Sequence, residues 1–408
     1  AADVTLADGA DLITASAGTS NFRAGVNAGN SIQSGGNYNV AVGDEAGTAI
    51  TTGTNNTIIG SSAGDSLTDA DYNTSLGFGS LGFDQLGSRT TAIGYRALGT
   101  QRFTSATDSY NTAVGYDAGL EITTGRFNNL IGGLAGDALT DGSANVAIGY
   151  GALSSDTRGL SSVAIGHAAL ESQNFTSSTD SFNTAVGKSA GTSVSTGVKN
   201  TLIGALAGDA LNTGTRNVSL GYGSLSSDTK GSRSVAIGTD ALFTQNFTSA
   251  TDAYNTAVGH FAGGSVTTGV KNTIIGGLAG DAITTADENT LVGYVAGSSL
   301  TTGEDNVLIG SLTGDALTEG KDNVAVGRNS LSADTKGRQS VAIGASALSS
   351  QNFTTLTDTY NTAVGSSAGT AVTTGVRNTF IGGLAGDALT AGLDNVAMGK
   401  SALSAETS

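Results

Sequence analysis

The chain has no proline, no cysteine, no tryptophan and a single methionine in 408 residues. Ordinary usage would include roughly 5% proline. Its complete absence fits a backbone whose N–H groups are nearly all committed to ladder hydrogen bonds, because proline removes a donor. Without cysteine there are no disulfides, no thiolate metal sites and no thiol nucleophile, and the redox compartment stays open. Charge is also scarce, at 13%, and unbalanced: 34 acidic against 18 basic residues leave a formal charge of −16. No basic patch is visible, which disfavours a nucleic-acid partner. No apolar run approaches the ~20 residues of a membrane helix, so membrane insertion of this segment is not expected.

The first residues, "AADVTLADGADL", have neither the basic start nor the apolar core of a signal peptide. The missing initiator methionine is read as a fragment or a processed chain, so a targeting segment could lie outside it. Residues 1–20 are expected to be a leader or junction and residues 21–408 one repetitive domain.

What the chain has in quantity is glycine, 62 residues, on a schedule. The glycine closing "NTAVG" and its variants marks positions 25, 43, 60, 77, 94, 115, 132, 149, 166, 187, 204, 221, 238, 259, 276, 293, 310, 327, 344, 365, 382 and 399. These 22 markers are 17 residues apart, except 18 once at the start and 21 after Gly94, Gly166, Gly238 and Gly344. Three coils of 17 and one of 21 make a 72-residue unit, and one unit carries two additional coils, at Gly293 and Gly310. Whole-coil insertion is what a quasi-one-dimensional solenoid tolerates.

Two residue classes trade places within a coil. Where the fourth residue after the marker is glycine, the seventh is bulky and apolar, as in Gly136 with Leu139 or Gly191 with Val194. Where the fourth is leucine, the seventh is polar, as in Leu153 with Asp156 or Leu170 with Gln173. One large side chain at this corner is what a narrow, close-packed core demands. The alternation in "NTAVG" is that of a short strand with one buried face. A second glycine about ten residues on, in "TTG" or "SDTKG", suits a corner. Two short strands and two glycine corners per coil predict an all-β fold, a parallel β-roll or β-solenoid of about 22 coils. At ~4.8 Å per coil it would extend over roughly 105 Å. The Asn columns at the strand start, including Asn111, Asn128, Asn145 and Asn200, are expected to form internal amide ladders.

"SVAIGHAAL" (162–170), "SVAIGTDAL" (234–242) and "SVAIGASAL" (340–348) resemble the head repeats of trimeric autotransporter adhesins. "NTAVG..AG...TTG" is similar, in length and wording, to repeats of bacteriophage tail-fibre proteins, and the resemblance covers residues 21–408. It implies left-handed parallel β-rolls that associate as homotrimers, a non-enzymatic role in host attachment, and a place in the virion tail fibre. Other fibre or virion components would be partners. The adhesin reading implies the cell surface instead. The membrane anchor, heptad stalk and chaperone domain of those families are not found in these 408 residues, compatible with a mature or trimmed segment. A thin core of three or four apolar side chains per coil independently favours burying a second face against sister chains.

Candidate sites are few. "GFGSLG" (77–82) matches a dinucleotide fingerprint, but Gly77 is one more coil marker and no helix follows. His167 and His260 follow markers in a column that also holds Tyr116, Tyr150, Lys188 and Arg328; this variety predicts a face toward solvent or a neighbouring chain. No serine, carboxylate or histidine forms a catalytic set, so no enzyme is expected. Asp-containing turns such as "TDADYN" carry oxygen ligands suited to calcium without matching the calcium nonapeptide, and no metal or cofactor is expected. The four insertions each add two aromatics: Phe103 with Tyr110, Phe175 with Phe182, Phe247 with Tyr254, and Phe353 with Tyr360, plus Asp108, Asp180, Asp252 or Asp358. Two readings stay open for them, a widened corner packing against the adjacent coil or chain, and a spaced row of contacts for a host surface glycan. A monomeric ice- or polysaccharide-binding solenoid is a further alternative, weakened by the lapse of the paired Thr positions in leucine-type coils.

Overall fold

A computed structural model describes residues 16–405. They form an all-β parallel solenoid of about 22 coils with no helix. The chain divides into two units, Ala1–Ser189 and Ala190–Ser408. Of the expected leader, residues 1–15 lie outside the described residues, and the first strand is Phe22–Ala24.

Each coil contributes one three-residue strand ending just before its marker glycine. In the first unit, Thr112–Val114, Asn129–Ile131, Val146–Ile148 and Val163–Ile165 pair in parallel and in register, one coil apart. In the second unit Thr256–Val258, Thr273–Ile275, Thr290–Val292 and Val307–Ile309 do the same. The middle residue of each strand points inward: Ala113, Leu130, Ala147, Ile274, Leu291 and Leu308 are fully buried. Its two neighbours point outward, as a period of two requires.

The second strand expected in every coil forms only beside the insertions, where Gly87–Ser88 pairs with Thr107–Asp108 and Gly231–Ser232 with Thr251–Asp252. Elsewhere that side is a run of turns bonded coil to coil, such as Thr140 N–H to the Thr157 carbonyl at 2.8 Å. The residues two and four after each marker take left-handed backbone angles in every coil, for example Leu134 (φ 57) and Gly136 (φ 57). An extended strand cannot continue through them, so the first corner begins directly after the marker.

That geometry also explains the glycine–leucine exchange. The fourth position is left-handed whichever residue occupies it, at φ 57 for both Gly136 and Leu153. Space, not backbone freedom, selects glycine: a Cβ at Gly136 would lie 2.9 Å from both Leu130 and Leu139. In coils where the strand offers only Ala147 and the seventh residue is Asp156, Leu153 fills the interior instead. The marker column differs. Gly132 has φ 134, and a Cβ there would sit 2.6 Å from the Gly149 carbonyl oxygen, so both backbone angle and coil-to-coil approach exclude side chains.

The buried asparagines inside the coils are hydrogen-bonded. Asn145 donates its backbone N–H to the Asn128 Oδ1 at 3.0 Å and its side-chain amide to the Gly159 carbonyl at 2.9 Å. Asn306 on Asn289 and Asn323 on Asn306 repeat the first bond. The amide ladder read from the Asn columns is thus formed, each rung capping the next coil's strand start.

Candidate functional surfaces

The insertions begin beneath the surface. Asp84 and Gln101, the polar seventh residues of two successive leucine-type coils, are fully buried. The Gln101 amide donates to Asp84 Oδ2 at 2.6 Å and accepts from Asn111 Nδ2 at 2.8 Å. The other Asp84 oxygen accepts the backbone N–H groups of Gly87 (3.1 Å) and Phe103 (2.9 Å). Burial pushes the Asp84 carboxyl above its ordinary value, opposed by the Gln101 amide and then by the Phe103 and Gly87 amides. The same constellation recurs as Asp156, Gln173 and Asn183, as Asp228, Gln245 and Asn255, and as Asp334, Gln351 and Asn361. It occurs where the amide ladder lapses, since Thr90, Ser162, Ser234 and Ser340 replace Asn there and the glutamine amide bonds their hydroxyls instead. The four additional residues carry the chain around this polar plug. Sequence spacing showed the Asp and Gln columns but not that they touch; their one-coil offset was the available signal.

The eight insertion aromatics separate into two environments. Phe103, Phe175, Phe247 and Phe353 are buried, 5–7% exposed. The Phe103 and Phe247 rings lie over the corner glycines of the preceding coil, where a Cβ on Gly87 or Gly231 would meet them at 2.8 Å. Tyr110, Phe182, Tyr254 and Tyr360 are half exposed, at left-handed positions. Tyr110 stacks on Phe127 with centroids 5.8 Å apart, and Arg89 lies over both Tyr72 and Tyr110. Arg233 covers Tyr254 in the second unit. The insertion carboxylates pair with the preceding coil, Asp108 with Arg89, Asp252 with Arg233 and Asp358 with Arg338, while Asp180 stands opposite Leu160.

Two further surfaces run along the coils. Every three-residue strand from Val40–Val42 to Thr379–Ile381 has an aliphatic third residue on the outer face. Leu76 and Ile131 in the first unit, and Leu220, Ile275, Ile309, Ile343 and Ile381 in the second, are 37–44% exposed. The other column follows the markers, where Phe78, Tyr95 and Tyr116 stack at 5.6 and 5.3 Å and Tyr150 stacks on His167 at 5.7 Å. Both histidines are exposed.

Chemistry in the expected turns is structural. Asp71 accepts the Thr54 N–H at 2.7 Å and Asp287 the Val270 N–H at 2.7 Å. Among the described residues no three His, Cys, Asp or Glu side chains are grouped as metal ligands. The Thr column is likewise engaged: Thr267, Thr284, Thr301 and Thr318 each donate a hydroxyl to the carbonyl one coil on, which subtracts from any ice-matching array. Compared with protein-family models and with curated proteins, the chain matches none.

Proposed function

We propose that this chain is a non-enzymatic fibre protein, the shaft or receptor-facing segment of a phage tail fibre that mediates host attachment as a homotrimer. The observation that carries the reading is the aliphatic column on the outer face of the strands, exposed coil after coil. Monomeric proteins rarely leave contiguous apolar surface of this kind uncovered. Burying the exposed part of each Ile would contribute about 1–2 kcal/mol. Second and third copies of the chain are its occupants, since the same column on each copy is self-complementary in spacing. The repeat wording "NTAVG..AG...TTG" supports a fibre over other trimers. Aromatic and carboxylate side chains repeated along such a fibre would turn weak contacts with surface glycans into firm attachment. An adhesin head of the cell surface would use the same packing.

Light scattering tests it. The expected mass is about three times the 40.0 kDa chain, and the Ile275→Asp/Ile309→Asp variant should fall to a smaller species. A wild-type monomer would sink the trimer and promote a solitary binding solenoid.

A further inference from the structure

A feature that departs from the repeat pattern is not required by the fold. One such feature is a cavity of about 440 Å³ in the first unit, lined by residues of four successive coils. It exists because side chains are missing. Ser62 stands where Leu134, Leu206, Leu312 and Leu384 stand in the matching coils; Gly82 stands where Ser154, Ser226 and Ser332 stand; and Gly99 replaces Glu171, Phe243 and Ser349. In the same coil an aromatic is gained, since Phe83 takes the place of Ser155, Ser227 and Ala333.

The walls are chemically mixed. Phe78 and Phe83 are 53% and 63% exposed and border the hollow. Phe78 ends the stack with Tyr95 and Tyr116, because the next residue of the column is Ser61. Asp65 and Glu121 supply carboxylates, and Arg96 supplies a guanidinium held against Asp117 at 3.2 Å. Half-burial and the nearby Glu45 push the Asp65 carboxyl upward, while the Ser66 hydroxyl pulls it back.

We propose that this cavity is a saccharide site that takes one uncharged pyranose ring. Its volume falls within the range of small-molecule sites. The apolar face of the ring packs on phenylalanine, and its hydroxyls donate to carboxylates and accept from arginine. The lining selects against anionic occupants, since the Asp65 and Glu121 carboxylates oppose a phosphate or an acidic sugar while Arg96 is already paired with Asp117. The ligand class rests on the attachment reading above, while the site rests on the cavity itself.

Saturation-transfer NMR on the full chain tests it, with methyl glucoside, galactoside and mannoside and N-acetylglucosamine as neutral probes, and choline and N-acetylneuraminic acid as charged ones. The control variant Ser62→Leu/Gly82→Ser installs the residues of the matching coils, and Phe83→Ser removes the wall. A Cβ at Gly82 meets nothing closer than 3.3 Å, and Ser62 (φ 53) already has the backbone angle of Leu134 (φ 57), so both variants should fold. Transfer to at least one neutral pyranoside, reduced at least tenfold in both variants at unchanged melting temperature, is the expected result. No transfer to any neutral probe, equal transfer in the filled variant, or transfer confined to a charged probe would overturn the proposal. Light scattering on the same samples separates the readings: a monomer that binds loses only the fibre, and a trimer that does not bind loses only the site.

Discussion

Replacing Gln101 by Met preserves side-chain length and most of its volume while removing both ends of the buried bridge. Asp84 Oδ2 loses its 2.6 Å donor and Asn111 Nδ2 loses one of two acceptors, keeping the Gly125 carbonyl at 2.8 Å. A hydrogen bond to a charged group is worth about 1.5–3 kcal/mol and a neutral one about 1, so the coil should lose about 2–4 kcal/mol at neutral pH. Repeat arrays need not unfold as one unit, so the measurement is native-state hydrogen exchange at the Gly87 and Phe103 amides, which bond Asp84. The cost corresponds to roughly 30- to 900-fold faster exchange through local opening.

The pH dependence sharpens the test. Burial already raises the Asp84 value above that of the unfolded chain, and Gln101 is the first influence lowering it; its loss raises it further. A raised carboxyl contributes stability that is present below its unfolded value and lost as pH rises through the folded value. The deficit of Gln101→Met relative to wild type should therefore be full at pH 7 and shrink toward pH 3. Adding Asp84→Asn should recover part of it at pH 7 by removing the stranded charge. A deficit equal at both pH values, or none at all, would refute the assignment of Asp84 and Gln101 as a coupled pair.

Gly136→Ala should cost about 2–4 kcal/mol, a left-handed penalty plus overpacking against Leu130 and Leu139, and the double variant with Leu139→Ala should cost less than the two single changes summed; strict additivity in urea unfolding would refute the steric account. Phe175→Ser should destabilise its coil by about 2–4 kcal/mol, whereas Phe182→Ser on the exposed face should leave the melting temperature nearly unchanged, and the reverse order would invert the burial assignment. Removing the exposed Arg377–Asp394 pair, which holds the Asp394 carboxyl below its ordinary range, should leave thermal unfolding unchanged; a clear loss in Arg377→Ala would show that this pair holds more than its surface geometry suggests.

Coil number, marker spacing, the inward Ala or Leu of each strand and the Asn ladder were all legible in the sequence, because a 17-residue period aligns like with like. The restriction of the second strand to the coils beside the insertions was not, and neither was the tight corner after each strand, because nothing in "GLAGDALT" reveals that Leu134 and Gly136 both adopt left-handed angles. The insertions were found as a unit, yet the division of Phe175 inward and Phe182 outward depends on which side of the polar plug each falls. The cavity near Phe83 was invisible for a different reason: it consists of side chains that are not there, and only comparison across coils in space turns Ser62, Gly82 and Gly99 into one hollow.

The asparagine ladder also has a direction. In each rung the later coil's backbone N–H meets the earlier coil's side-chain oxygen, as Asn145 meets Asn128 and Asn323 meets Asn306. In this bond a coil placed first thus presents a ready side-chain acceptor to the backbone of the one synthesised after it. At ribosomal rates of about 5–20 residues per second, a new coil emerges every one to three seconds. The chain is therefore suited to being laid down course by course behind the ribosome, the finished N-terminal coil serving as template for its successor.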